Sequence, residues 1–164
     1  MKSVSSCCFY SLFPGCSNIS DCGSLTLPAT TLASDCYSGM FSGCSNLITA
    51  PALPATTLAD RCYRSMFSGC SKLTQAPNIK TYTPNLDAFS YMLYTIVYDT
   101  YEWGQLTTCI WNDLTIAEVE RIVLNENIFG YDNPEANVRI SITCKDGSGT
   151  AYYDSGKSSW VFEY

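Results

Sequence analysis

The chain repeats itself in its first half: LPATTLASDCYSGMFSGCSNLITAPA at 27–52 is followed directly by LPATTLADRCYRSMFSGCSKLTQAPN at 53–78, a period of 26 residues. Upstream, residues 8–19 match residues 36–47 at an offset of 28. Downstream the period continues in weaker form, with apolar residues at the equivalent positions Ile79, Phe89, Met92 and Leu93. Because one such segment is too short to bury its own apolar face, consecutive segments are expected to stack and share a core.

A period of this length is typical of leucine-rich repeats, in which each turn supplies a short strand and a return segment. We expect strands at 46–52 and 72–78, with Leu47 and Leu73 pointing inward. The return segments are expected to form short helices or 3₁₀ turns that carry the paired apolar positions Met40-Phe41 and Met66-Phe67. The prolines in this region suit short strands at an edge.

The repeats resemble the BspA-like leucine-rich repeats of bacterial proteins. The resemblance is carried by MFSGCSNL at 40–47 and MFSGCSKL at 66–73, and it covers positions 8 to about 94. It implies a right-handed solenoid with a protein-binding or adhesion role and no catalytic activity.

The repeat also explains six of the ten cysteines. Two repeat positions account for them: Cys8, Cys36 and Cys62 at one, and Cys16, Cys44 and Cys70 at the other. Equivalent residues in stacked turns lie about 4.8 Å apart, so they are expected to form two ladders of buried thiols acting as small apolar side chains. Disulfide pairing between the ladders and metal binding by thiolates are the alternatives.

The second half follows a different pattern. Thr115 and Glu118 form a capping box at the start of a helix that is expected to end near Asn125, and Leu114 is placed to contact Val119. Strict alternation at 138–144 predicts a strand, and further strands are expected at 150–153 and 159–164. The sequence therefore predicts an α+β fold: a short leucine-rich-repeat solenoid over 1–98, and an acidic cap over 99–164 made of a helix and a small antiparallel β-meander. The two parts are expected to form one continuous unit.

Composition excludes most catalytic chemistry. The chain has no histidine, so Ser–His and Cys–His pairs, an imidazole base and His metal ligands are absent. No CxxC motif, nucleophile–base pair or set of metal ligands is apparent. The sequence predicts a protein that is not an enzyme and needs no metal or cofactor. No signal peptide or membrane span is visible, so the chain as written is expected in the cytoplasm, or at the cell surface if it is part of a longer exported protein.

Charge is distributed unevenly. Residues 1–98 carry five positive and four negative side chains, whereas residues 99–164 carry four positive and eleven negative ones. Direct nucleic-acid binding is disfavoured because phosphate recognition needs clustered Lys and Arg. The acids either keep the surface solvated or steer a partner protein with a basic surface.

We predict a protein–protein interaction module that binds through the solenoid face, the acidic cap or both. The residues expected on the solenoid face are Thr49, Pro51, Gln75 and Pro77, extended by Tyr101 and Trp103. One alternative is an intracellular inhibitor of the kind that phages or mobile elements encode, blocking the basic surface of a host defence or nucleic-acid-binding enzyme. Its phosphate-mimicking acids would be Glu118, Glu120, Glu126 and Asp132. A second alternative is a fragment of a bacterial surface adhesin.

Overall fold

The computed structural model describes residues 3–95, 104–130, 138–154, 156–157 and 159–164. These residues contain five strands and one helix. In chain order the elements are β1 (Gln75–Ala76), β2 (Thr108–Trp111), α1 (Ile116–Leu124), β3 (Arg139–Cys144), β4 (Gly147–Asp154) and β5 (Ser159–Glu163). The strands form one sheet in the order β1-β2-β3-β4-β5. The pairs β1–β2 and β2–β3 are parallel, and the pairs β3–β4 and β4–β5 are antiparallel.

The predicted fold class, a leucine-rich-repeat solenoid of period 26 capped by a helix and a small antiparallel meander, is wrong. The described residues contain a single mixed five-stranded sheet and one short helix. Of the two predicted repeat strands at 46–52 and 72–78, the structure contains only β1. The antiparallel strands predicted from the alternation are present as β3–β5, but they continue the sheet of β1 and β2 and do not form a separate cap.

The return segments are not helical because their backbone changes hand every four residues. We call 7–15, 35–43, 61–69 and 87–94 turn segments 1 to 4. In turn segment 2, φ is positive at Asp35, Gly39 and Gly43. The equivalent residues in the other segments also have positive φ: Cys7, Ser11, Gly15, Arg61, Ser65, Gly69, Asp87 and Tyr91. An α-helix requires negative φ throughout, so each segment is a chain of tight turns.

Backbone hydrogen bonds in the turn segments alternate between local and long-range partners. The Met40 N–H donates to the Tyr37 carbonyl three residues earlier, at 3.2 Å. The neighbouring Tyr37 N–H instead donates to the Cys62 carbonyl in turn segment 3, at 3.0 Å. All five long-range donors of turn segment 2 act in this way: Asp35, Tyr37, Gly39, Phe41 and Gly43. Each segment therefore donates to the next one along the chain, and we call this array the directional ladder.

The same stacking aligns aromatic rings. Phe9, Tyr37, Tyr63 and Phe89 form one column, with successive ring centroids 5.3, 5.9 and 5.9 Å apart. A second column contains Phe13, Phe41 and Phe67 at 5.6 and 5.7 Å. The interior rings are fully buried, so the repeated aromatic positions form the core of the first half.

The residues after α1 cover the end of the directional ladder. The Tyr91 N–H donates to the Asn127 carbonyl at 3.2 Å, and the Leu93 N–H donates to the Ile128 carbonyl at 2.9 Å. The helix begins with the predicted capping box between Thr115 and Glu118. It packs against the sheet through its buried face, which consists of Val119, Ile122 and Val123.

The sheet also crosses the predicted boundary between residues 98 and 99. Gln75 of β1 pairs with Thr108 of β2, so the repeats and the second half share backbone pairing. On the buried side, Phe129 packs on Trp160 with ring centroids 4.8 Å apart. In the described parts of the chain, no helix has the length and apolar character needed to cross a membrane.

We expect Gly43→Ala to destabilise the protein more than Gly15→Ala. Both glycines have positive φ, +77° and +68°, which costs a residue with a Cβ about 1 kcal/mol. A Cβ on Gly43 would also lie 3.3 Å from the Cα and N atoms of Gly15, whereas a Cβ on Gly15 meets nothing within 4 Å. Urea unfolding should give losses of about 2 and about 1 kcal/mol, respectively. Equal losses would contradict the close contact between turn segments 1 and 2.

Candidate functional site

An open groove of about 430 Å³ lies between the segments 48–52 and 74–78 of two consecutive repeats. Its lining consists of Gly23, Ile48, Thr49, Ala50, Pro51, Ala52, Thr74, Gln75, Ala76, Pro77 and Asn78. The four residues that the repeat register predicted for the binding face therefore lie in one place. None of the described residues that line the groove is charged.

The groove lies where strand pairing is interrupted. Thr49 pairs with Asp21 on one side, and Gln75 pairs with Thr108 on the other. No backbone hydrogen bond joins 48–52 to 74–78 in the described structure. Pro51 and Pro77 occupy the same repeat position and have no N–H to donate. The repeated proline therefore accounts for part of the missing backbone hydrogen bonding between these two segments.

The four predicted face residues divide into rim and floor. Thr49 and Gln75 are exposed, as expected. Pro51 and Pro77 are buried, so the prediction that they project outward is wrong. Each proline lies two residues before a buried residue, Leu53 or Ile79, and these two residues pair across the repeats. The groove consequently has a polar rim and an apolar floor.

Side-chain hydrogen bonds fix one wall of the groove. The buried Trp111 indole Nε1–H donates to the Pro77 carbonyl at 3.0 Å. The Asn78 amide Nδ2–H donates to Asp113 Oδ2 at 2.9 Å, and Lys80 Nζ lies 2.7 Å from the same oxygen. The hydrogen bonds from Lys80 and Asn78 lower the pKa of Asp113, which keeps its carboxylate ionised as the acceptor. The wall is thereby held in place before any partner binds.

A row of exposed and half-buried polar side chains extends from the groove across the sheet. The register pairs Gln75, Thr108, Ser141, Thr150 and Glu163 on five successive strands. Within this row only Glu163, on the last strand, is charged. The surface beside the groove therefore offers hydrogen-bonding hydroxyl and amide groups at the strand spacing of about 4.8 Å.

No protein-family model matches the chain, and comparisons with curated proteins and with solved structures find no match. The resemblance to BspA-like repeats therefore stays a prediction.

The predicted acidic residues do not share one surface role. Glu118 is used locally, since its Oε2 accepts hydrogen bonds from the Thr115 N–H at 2.8 Å and hydroxyl at 2.9 Å. Glu120 is half-buried on α1, whereas Glu126 is only 4% exposed. Asp132, Tyr101 and Trp103 lie outside the described residues.

Glu126 is buried, although its charge predicted a position on an exposed acidic surface. Its Oε2 accepts a hydrogen bond from the Phe89 N–H at 2.8 Å, where the directional ladder would otherwise need a further carbonyl. Its Oε1 is buried and has no hydrogen-bond partner among the described residues. Burial raises the pKa of Glu126 to about 7 although the Phe89 hydrogen bond opposes the shift, and nearby Asp87 adds to it. This residue therefore terminates the ladder and does not belong to an exposed acidic face.

Most of the thiols are buried, and burial makes them poor nucleophiles. All ten cysteines are free, and seven of them are buried. Burial raises the pKa of Cys36 to about 11 and that of Cys62 to about 12, which disfavours the nucleophilic thiolate. The described residues contain no group of three or more Cys, Asp or Glu side chains suited to hold a metal ion.

We expect three cysteines to react quickly with a thiol reagent in the native protein. Cys7, Cys8 and Cys16 are exposed, whereas the other seven are buried. Alkylation followed by peptide mapping should label these three at least about tenfold faster than the rest, because the buried thiols react only after local opening. In denaturant all ten should react. Rapid labelling of Cys62 or Cys70 in the native protein would contradict the stacking of the turn segments.

Sequence reasoning missed several parts of the groove. Ile48, which is 50% exposed, and Asn78 line it beside the predicted residues. A signal was present for both, because Ile48 directly precedes Thr49 and Asn78 directly follows Pro77 in the segments expected to be strands. The hydrogen bond that holds Asn78 was not predictable, since its partner Asp113 is 35 residues away in the sequence.

Proposed function

We propose that the protein is a non-catalytic binding module that takes an extended, uncharged segment of a partner protein into the groove. The observation that carries this proposal is the groove itself, which combines a polar rim at Thr49 and Gln75 with an apolar floor at Pro51 and Pro77. Extended peptides suit such a surface because their backbone groups bond to a polar rim while side chains contact the floor.

Three further features support a protein partner. The exposed Ile48 supplies apolar contact area at the rim. The row from Gln75 to Glu163 offers further hydrogen-bonding groups next to the groove. The wall at Pro77 and Asn78 is anchored by Trp111 and Asp113, so little ordering is needed on binding.

The test is affinity capture from a lysate of the source cells, with Gln75→Trp as the groove variant. A tryptophan at this exposed position fills the groove and should lower recovery of a specific partner at least about tenfold. Thr56→Trp adds the same ring at an exposed position outside the groove lining and should leave recovery unchanged. Recovery that is insensitive to Gln75→Trp would overturn the proposal.

Salt dependence distinguishes this function from binding through acidic residues. Because the groove lining is uncharged, recovery should change by less than about twofold between about 50 and 500 mM salt. A steep loss at high salt would instead favour charge-driven binding of a basic partner, as the inhibitor hypothesis requires. Glu126 is buried, and Glu118 accepts a hydrogen bond from the Thr115 N–H, so the positions of these two residues do not support that hypothesis.

A further inference from the structure

A separate cavity of about 480 Å³ opens across turn segments 1 to 3 and shares no lining residue with the groove. Its polar lining on turn segments 2 and 3 consists of Asp35, Ser38, Ser42, Arg61, Arg64 and Ser65. Each of these two segments stacks between two others, so the chain itself supplies the surroundings of these residues. We call this cavity the serine–arginine pocket. Its volume lies in the range of small-molecule sites.

Ser38 is buried and lines the serine–arginine pocket with a hydroxyl that has no partner. The residue is only 6% exposed, and its hydroxyl makes no hydrogen bond to another described residue. Because this hydroxyl is not fully enclosed by protein atoms, it reaches the pocket. A serine hydroxyl can donate one hydrogen bond and accept two, and leaving a buried one unused is unfavourable. A polar ligand in the pocket would supply the missing partner.

Two further hydroxyls of the serine–arginine pocket are also unused. Ser42 and Ser65 are half-buried, and neither hydroxyl bonds to another described residue. The turn segments that carry them are held together by the directional ladder, in which the Gly39 N–H donates to the Arg64 carbonyl at 2.8 Å. Together with Ser38, these residues offer three hydroxyls that both donate and accept. Such a set matches a ligand that itself carries several hydroxyl groups.

The charged residues of the pocket leave one cation without a partner. Two nitrogens of the Arg61 guanidinium donate to the two carboxylate oxygens of Asp35, each at 3.1 Å, and the third lies 3.1 Å from Asp60 Oδ2. Arg64 is exposed, and its guanidinium makes no hydrogen bond or ion pair with another described residue. Since Asp35 and Arg61 neutralise each other within the lining, Arg64 gives the lining one net positive charge.

The serine–arginine pocket also lies where the two matching repeats diverge. Residues 27–52 and 53–78 differ at eight positions, and core positions such as those of Tyr37 and Phe41 are not among them. Three of the eight positions place both of their residues in the lining: Asp35 and Arg61, Ser38 and Arg64, and Gly39 and Ser65. Stacking of the repeats therefore keeps the core identical but does not determine the side chains of this pocket.

We propose that the serine–arginine pocket binds a sugar carboxylate, a small ligand that carries one carboxylate on a hydroxylated ring. The Arg64 guanidinium binds the carboxylate, since its planar N–H groups match both carboxylate oxygens. The hydroxyls of Ser38, Ser42 and Ser65 exchange hydrogen bonds with the ring hydroxyls. One unpaired positive charge suits a carboxylate better than a phosphate monoester, which carries a charge of about −1.5 to −2 at neutral pH.

The test is an NMR titration of the full, isotope-labelled chain with glucuronate as the probe. The backbone amide signals of Ser38, Arg64 and Ser65 should shift saturably, with a Kd of about 1 mM or below. Glucose has the hydroxyls without the carboxylate, and acetate has the carboxylate without the hydroxyls, so each should bind at least about tenfold more weakly. Inorganic phosphate should also bind more weakly than glucuronate.

Three results would refute the proposal: no saturable shift with glucuronate, an affinity for acetate or phosphate equal to that for glucuronate, or shifts confined to 48–52 and 74–78. Because the serine–arginine pocket shares no lining residue with the groove, none of these results bears on the function proposed for the groove.

Arg64→Gln is the main variant, because Arg64 is exposed and unpaired and the fold should not depend on its charge. It should weaken glucuronate binding at least about tenfold, and Ser38→Ala should weaken it about threefold to tenfold. Lys72→Gln is the matched control, since it removes the same charge from an exposed residue outside the pocket. It should change the Kd by less than about twofold. Equal losses for Arg64→Gln and Lys72→Gln, or unchanged binding by Arg64→Gln, would contradict the site.

Discussion

Phe67→Ala is expected to lower the free energy of unfolding by about 3–5 kcal/mol, whereas Phe13→Ala should cost about 1–2 kcal/mol. Phe67 is 0% exposed, and its ring lies 5.7 Å from that of Phe41 at the buried end of an aromatic column. Removing it leaves a cavity between turn segments that cannot close, because backbone bonds such as that from Phe41 to Met66 hold the segments together.

Phe13 is the matched control because it carries the same ring at the open end of that column. It is half-buried and stacks on Phe41 at 5.6 Å, with no described ring on its other face. Truncation there exposes existing surface and creates no closed cavity. Urea unfolding of the three proteins measures both losses. Equal costs at the two positions would show that the column does not have one buried end and one open end.

The parent protein should become less stable relative to Glu126→Gln as the pH rises from 5 to 8. The pKa of Glu126 is raised to about 7 in the folded protein, from an ordinary value of 4.5. A carboxyl group whose pKa is raised by folding stabilises the fold while it is protonated. This contribution is complete at pH values below the pKa in the unfolded chain, and it is lost as the pH rises through the folded pKa of about 7. The expected change in the stability difference is about 2 kcal/mol over this range.

Glutamine is informative because it stays neutral and still offers an oxygen to the Phe89 N–H. Glu120→Gln removes one negative charge from the half-buried part of α1 and is the control for net charge. Its stability difference from the parent should vary by less than about 0.5 kcal/mol. The measurement is a set of urea titrations at several pH values. A Glu126→Gln difference that does not change with pH would contradict the buried position of this carboxyl.

The repeat in the sequence predicted which residues become neighbours but not the backbone that joins them. The period of 26 correctly placed Tyr37 beside Tyr63 and Phe41 beside Phe67. It did not reveal that residues such as Asp35 and Arg61 adopt positive φ. Aspartate favours that conformation weakly and arginine does not favour it, so the strand-and-helix form was predicted from the period length and from the family resemblance. The helix start was predictable because a capping box is a local feature.

The candidate site was predictable to a similar extent. The repeat register predicted that Thr49 and Gln75 lie close together, and both are at the rim of the groove. The register gave no information on the burial of Pro51 and Pro77. Glu126 was misplaced because its burial depends on Phe89, 37 residues away in the sequence. Charge patterning counts acids but does not show which of them accepts a buried N–H. Contacts of this range follow from packing, which local patterns do not encode.

The directional ladder is tested most directly by NMR detection of scalar couplings across its hydrogen bonds in isotope-labelled protein. Cross-peaks should join the Tyr37 nitrogen to the Cys62 carbonyl carbon and the Phe41 nitrogen to the Met66 carbonyl carbon. Among the described residues none donates to the Tyr10 or Leu12 carbonyl, so no cross-peak should join either carbonyl carbon to the nitrogen of a described residue. Absence of the first pair of cross-peaks, or a coupling from a described nitrogen to either of these two carbonyls, would contradict the ladder and its direction.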